Sequence, residues 1–200
     1  MFMSKTPFFA EISRNIRKVP TVEIPTMAIS FDIQADELAL LWNPDFVSGL
    51  TDWQIQNVLT HEFYHVIFSH VQNRRKTPSQ MWNIATDLAI NSLIISSAKD
   101  HGMPSGFRKS DKDNGPLPKG CLIPGEWPIK PDGREFTKEE KDAAPLGELI
   151  SKFPHKKSSE FYFTKLMAKA KNQKCPTCGK KPSDHKSQQG QQGQQGQQGQ

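Results

Sequence analysis

One stretch, Leu59-Thr60-His61-Glu62-Phe63-Tyr64-His65-Val66-Ile67, limits what this chain can fold into more than any other, because it sets two imidazoles and a carboxylate in an otherwise apolar helical run. Residues four apart on a helix stand one above the other, so His61 and His65 leave the same face and can converge on a single ion. Three unpaired ionisable groups among Val58, Leu59, Val66 and Ile67 would be costly to bury, and a bound cation removes that cost. Zinc accepts neutral imidazole nitrogen at about 2.0–2.1 Å, and a catalytic zinc site needs three protein ligands with a fourth place for water. Glu62, one residue round the helix, would stand beside that water and take its proton as general base. The fold therefore has to bury one side of this helix and deliver a third ligand to it.

Start signals for the helix are complete: Thr51 can cap and Gln54, three residues on, closes a capping box, which predicts a helix from Asp52 to about Val71. His70 is nine residues after His61, and on a continuous helix it faces about 180° away, so it could ligate only if the helix broke first. A second helix is predicted from about Gln80 to Ala98, apolar on nearly every side and so buried. Asn83, Asp87 and Asn91 repeat on it at a spacing of four, drawing one polar stripe along a buried rod, and buried polar groups need partners. Docked on His61 and His65, Asp87 would supply the third ligand, with Asn83 and Asn91 orienting it or a histidine by hydrogen bonds; the alternative is that Asp87 only accepts hydrogen bonds from a neighbouring loop.

Elsewhere the pattern predicts a short basic helix over residues 8 to 18 and a β-hairpin over residues 26 to 43, with Met27, Ile29, Phe31 and Ile33 sharing one strand face. Gly, Pro, Asp and Lys dominate from Gly102 to Asp132, which predicts an irregular segment. Two further helices are expected, from Thr137 to Phe153 and from Ser158 to Asn172. Cys175 and Cys178, with His185 as a third ligand, read as a zinc-knuckle half at residues 171–186, for which Cys121 or His155 could complete a second, structural site; a redox pair or exposed thiols would fit the same spacing. Residues 187–200 are a Gln/Gly repeat of linker character that stops in mid-repeat, which predicts that the chain is a piece of something longer.

No signal-peptide core and no uncharged stretch of bilayer length is present, so the expectation is a soluble cytoplasmic protein without membrane partners. The net charge of +5 thickens towards the C-terminus, but no aromatic or Arg-rich pattern accompanies the lysines, which argues against a nucleic-acid partner.

The run "LWNPDFVSGLTDWQIQNVLTHEFYHVIFSHVQNR", followed by "WNIATDLAINSLI", "LPKGCLIPG" and "SSEFYFTKL", resembles the putative metallopeptidase domain of bacteria and phages, over about residues 20 to 167. The resemblance implies an α+β, zincin-like fold over residues 1–170, with a small sheet packed on the helix that bears the motif. It also implies His61, His65 and Asp87 as zinc ligands, Glu62 as general base, a peptide or protein substrate, and a von Willebrand A-like partner domain beyond the Gln/Gly linker. Two functions follow as expectations: a zinc-dependent peptidase, or an inactive metal-stabilised binding module whose site is closed by a fourth ligand such as His70 or His101. For the peptidase, His101 and Tyr162 have the chemistry of an oxyanion stabiliser.

Overall fold

The computed structural model describes residues 7–100 and 115–172 and has an α+β architecture. In chain order the elements are α1 (Pro7–Arg14), β1 (Arg17–Pro20), β2 (Met27–Asp32), β3 (Glu37–Trp42), α2 (Pro44–Ser48), α3 (Asp52–Ile67), α4 (Ser79–Asp100), α5 (Lys138–Asp142), α6 (Pro145–Ile150) and α7 (Ser159–Asn172).

The predicted hairpin is present as β2 and β3, antiparallel with Met27 opposite Trp42 and Asp32 opposite Glu37. Its apolar face is shorter than the alternation suggests. Asp32 Oδ1 accepts the N–H groups of Gln34 and Ala35, a side-chain-built turn that ends the strand and leaves Ile33 83% exposed. The basic helix over residues 8 to 18 is corrected: α1 stops at Arg14, and Arg17–Pro20 pairs in parallel with Ala39–Trp42 as a third strand, giving the order β1-β3-β2. Strand pairing outweighs helical periodicity there because Ile16 is buried in the sheet core and Arg17 bridges Asp32 and Glu37.

Helix α3 begins as predicted, with the reciprocal Thr51–Gln54 capping box. It ends four residues earlier than expected. Ser69 adopts φ +55°, and the bonds Ser69 N–H to Val66 C=O (2.9 Å) and His70 N–H to His65 C=O (2.9 Å) form a Schellman cap that turns the chain back on the helix. The expected helix from Thr137 to Phe153 is two short ones, since Pro145 disfavours helical backbone at the residue before it, and Ala144 sits at φ −116°, ψ 66°.

Three apolar clusters hold these elements. Val58 and Phe63 of α3 pack on Ile16, Met27, Ile29 and Leu40 of the sheet region. Trp82, Ala85, Leu88 and Ala89 of α4 pack on Ile150, Phe153, Tyr162 and Leu166. The other side of α4, Ile90, Ile94 and Ile95, packs on Leu117 and Ile123. Burial on both sides explains why α4 has apolar residues nearly all round. Each fully buried large side chain contributes about 1.5–3 kcal/mol, enough to lock α4 against α3 and α7. Among the described residues no helix is long and apolar enough to cross a membrane.

Candidate metal centre

Helix α3 presents His61 and His65 one turn apart, and α4 brings Asp87 to them. The Nε2 atoms of the two histidines lie 3.0 Å apart, and Asp87 Oδ1 is 3.5 Å from the first and 3.3 Å from the second. Donor atoms about 2.0–2.1 Å from one tetrahedral ion are separated by roughly 3.3 Å, so this triangle has the dimensions of three ligands on a single zinc. The two neutral nitrogens and one carboxylate oxygen suit that ion chemically as well. Among the described residues these three are the group gathered closely enough to hold a metal.

The outer nitrogen of His61 is engaged from α4: Nδ1 lies 2.8 Å from Oδ1 of Asn91, whose Nδ2 donates to the Leu122 carbonyl at 2.9 Å. Since the Asn91 oxygen can only accept, His61 donates its Nδ1–H there, and the neutral form of the ring then presents Nε2 as a lone pair. Asn83, expected to act likewise, is exposed at the rim of the cavity, and its side chain bonds neither histidine nor Asp87. His70 is brought close by the break in α3. Its Nδ1 is 3.3 Å from Nδ1 of His65, on the side away from the triangle.

Glu62 is buried, and its Oε2 accepts the Ile29 N–H of β2 at 2.8 Å, so the neighbouring strand fixes the carboxylate. Burial raises the pKa of Glu62 above the ordinary carboxylate range, although His61, His65 and the Ile29 N–H pull the other way. For Asp87, desolvation also acts upwards, but hydrogen bonds and charge from His61 and His65 overcome it and hold the carboxyl well below its usual range, while one side stays open to the cavity. Burial would lower His61, yet Asp87 and then Glu62 raise it overall. His70 falls to about 4 through burial and the neighbouring His65, so it is neutral at physiological pH.

Two cavities meet at the triangle. The larger, about 940 Å³, is walled by Phe46, Leu50, Val58, Leu117 and Leu122, and the smaller, about 440 Å³, reaches Arg75 and Lys76. Cys121 lines the larger one as a free thiol whose pKa is pushed up to about 12, by burial first and then by Asp87 and Glu62. It stays protonated there, packed against the Ile90–Leu117 cluster. His155 lies beside Ser92, with Nδ1 3.4 Å from Oγ. Tyr162 is fully buried and donates its hydroxyl to the Pro154 carbonyl at 2.7 Å, away from both cavities, so it does not serve as the oxyanion stabiliser considered from its chemistry. Cys175, Cys178, His185 and His101 lie outside the described residues. Sequence reasoning missed the Ile29 backbone contact and set His70 aside; the signal for His70 was its closeness to His65, hidden by the assumption of an unbroken helix.

No solved structure matches the chain. An uncharacterized protein of Thermotoga maritima is 26% identical over 128 residues, which are 62% of this chain and 31% of that relative, so the match spans under a third of the relative's length. The family model described as "Putative metallopeptidase domain" matches residues 2–200, and with the His61, His65 and Asp87 geometry in view, the chain belongs to that family.

Proposed function

We propose that this chain is a zinc-dependent peptidase of zincin-like architecture in which His61, His65 and Asp87 hold the ion and Glu62 is the general base. The observation that carries the reading is the ligand triangle of 3.0, 3.3 and 3.5 Å with a buried, strand-anchored carboxylate on the same helix. When bound, a divalent cation there supplies Lewis acidity, lowering the pKa of a water towards about 7 and polarising a carbonyl. Ile29 engages only one oxygen of Glu62, which leaves the other to accept a proton from water and return it to the leaving amine.

Strand β2 is an edge of the sheet beside this centre. Asn43 N–H bonds Thr26 C=O, and that register turns the backbone groups of Ala28, Ser30 and Asp32 towards β3 and those of Met27, Ile29 and Phe31 outwards. With the Ile29 N–H given to Glu62, the N–H and C=O of Met27 and Phe31 and the C=O of Ile29 are the outward groups left to align an extended peptide by strand addition. The larger cavity, with Phe46, Leu50, Val58 and Leu117 on its walls, suits a bulky apolar side chain next to the scissile bond.

The alternative, a closed metal-stabilised binding module, calls for four protein ligands. Among the described residues three are gathered, and His70 approaches the far nitrogen of His65 instead of joining them. That favours the enzyme. Metal content of wild type and His61→Ala, followed by cleavage of a peptide library by wild type and Glu62→Gln, tests the proposal. Glu62→Gln should keep its metal and lose hydrolysis; hydrolysis retained in that variant would refute the mechanism.

A further inference from the structure

His65 is a metal ligand only if Nε2 presents a lone pair, and a neutral imidazole meets that condition only with its proton on Nδ1. Nothing on α3 itself secures that proton. The residue that reaches Nδ1 is His70, at 3.3 Å, and the other ring nitrogen of His70 lies 3.3 Å from Oγ of Ser159, the first residue of α7. Both partners are buried, at 5% and 4% exposure, so bulk water does not compete for these bonds. The His70 ring is further fixed by edge-on packing against His65 and Trp82.

Backbone chemistry explains how the two imidazoles meet. In a Schellman cap the second residue past the helix cap folds back beside the helical residue five positions earlier, where apolar side chains commonly touch. Here those two places are held by His70 and His65, joined also by the His70 N–H to His65 C=O bond of 2.9 Å. The cap works although Ser69, not glycine, occupies the left-handed position at φ +55°.

We propose that His70 is a positioning residue for the metal centre: its Nδ1 accepts the Nδ1–H of His65, its Nε2–H donates to Ser159 Oγ, and the relay fixes His65 as the tautomer whose Nε2 faces Asp87. The inference deepens the functional reading and rests on it in taking His65 as a ligand. With Asn91 behind His61, each imidazole then has its own neutral acceptor, one on α4 and one between α3 and α7. Loss of such a partner typically weakens metal binding by 10- to 100-fold.

The test uses the full chain and Co²⁺, whose spectrum separates imidazole and carboxylate ligation from thiolate ligation, in competition with a chelator. His70→Phe keeps the ring volume but cannot accept, and should lower Co²⁺ affinity by about 10- to 100-fold, whereas His70→Gln, which can accept from His65 and donate to Ser159, should stay within about threefold of wild type. Ser159→Ala should fall between them. Long-range ¹H–¹⁵N spectra of the Zn²⁺-loaded wild type should show His65 protonated on Nδ1 and His70 on Nε2. A merely structural His70 would lower the melting temperature of the metal-free chain without moving these readouts. A folded His70→Phe with wild-type affinity, or a His70 protonated on Nδ1, overturns the inference and leaves the peptidase reading standing; should His70→Phe fail to fold, Ser159→Ala and the wild-type spectrum decide. A wild type that takes up no Co²⁺ through its histidines overturns both.

Discussion

Replacing Asn91 separates the structural from the metal-binding part of the site. Asn91 is 2% exposed and makes two bonds, accepting from His61 Nδ1–H at 2.8 Å and donating to the Leu122 carbonyl at 2.9 Å. Asn91→Leu fills the same space and makes neither. Two buried hydrogen bonds at about 1 kcal/mol each, plus part of the desolvation cost of the stranded N–H and C=O, give a loss of about 2–4 kcal/mol. At roughly 2–4 °C per kcal/mol for a chain of this size, the melting temperature of the metal-free protein should drop by about 5–15 °C, as read by circular dichroism. With the Nδ1–H of His61 unsupported, metal affinity should fall by about 10- to 100-fold in a chelator competition. Asn91→Asp splits the two effects: its carboxylate still accepts from His61, as a stronger charge-assisted bond, but sets an oxygen against the Leu122 carbonyl. It should be destabilised like Asn91→Leu yet bind metal at least as tightly as wild type. Metal affinity of Asn91→Leu unchanged from wild type, or of Asn91→Asp as weak as that of Asn91→Leu, would refute the idea that this bond sets the tautomer of His61.

Glu62→Gln should hold zinc with near wild-type stoichiometry while kcat for peptide cleavage falls by about 10²–10⁴-fold, measured side by side on the same metal-loaded preparations. Asp87→Ala removes a ligand and should abolish stoichiometric zinc in dialysed protein; elemental analysis finding full zinc would eliminate Asp87 from the set. Ser69→Gly relieves a non-glycine residue of its left-handed conformation and should stabilise the chain by about 1 kcal/mol in denaturant titration, less the extra unfolded-state freedom of glycine, with no loss of metal affinity because the cap is kept.

The gathering of His61, His65 and Asp87 is legible in the sequence because it follows local periodicity. The i, i+4 pair of His61 and His65 needs only a helix, and the capping box at Thr51 and Gln54 announced one. The polar stripe of Asp87 and Asn91 stood out because the rest of α4 is mostly apolar, and a polar stripe on a buried rod has to face something polar. Asn83 obeyed the same spacing but sits a turn nearer the helix start, where the cavity opens to solvent, so periodicity alone could not separate it from Asn91. His70 was hidden for a different reason. The usual sign of a helix stop is glycine just past the end, and Ser69 gives no such sign, so the chain appeared to run on to Val71. β1 was illegible because its pairing partner lies over twenty residues away, and the strand order β1-β3-β2 is a long-range property that no local window contains.

The electrostatics of the cluster argue for a divalent ion over a monovalent one. Asp87 and Glu62 bring two carboxylates to one partly buried place, and the groups hydrogen-bonded behind the two histidines, Asn91, and His70 with Ser159 beyond it, are neutral. His61 is raised and Asp87 lowered because each compensates the other in surroundings where charge is weakly screened. A dication matches two carboxylates charge for charge and lets both imidazoles stay neutral, which is the form in which they ligate. Neutral partners behind the histidines fit the same reading: a carboxylate in the place of Asn91 or His70 would add negative charge to the cluster and would blunt the acidity of an ion bound there. In the proposed peptidase, neutral partners on both sides, one from α4 and one tying α3 to α7, would orient the ligands while leaving a bound ion electrophilic, as hydrolysis by metal-activated water requires.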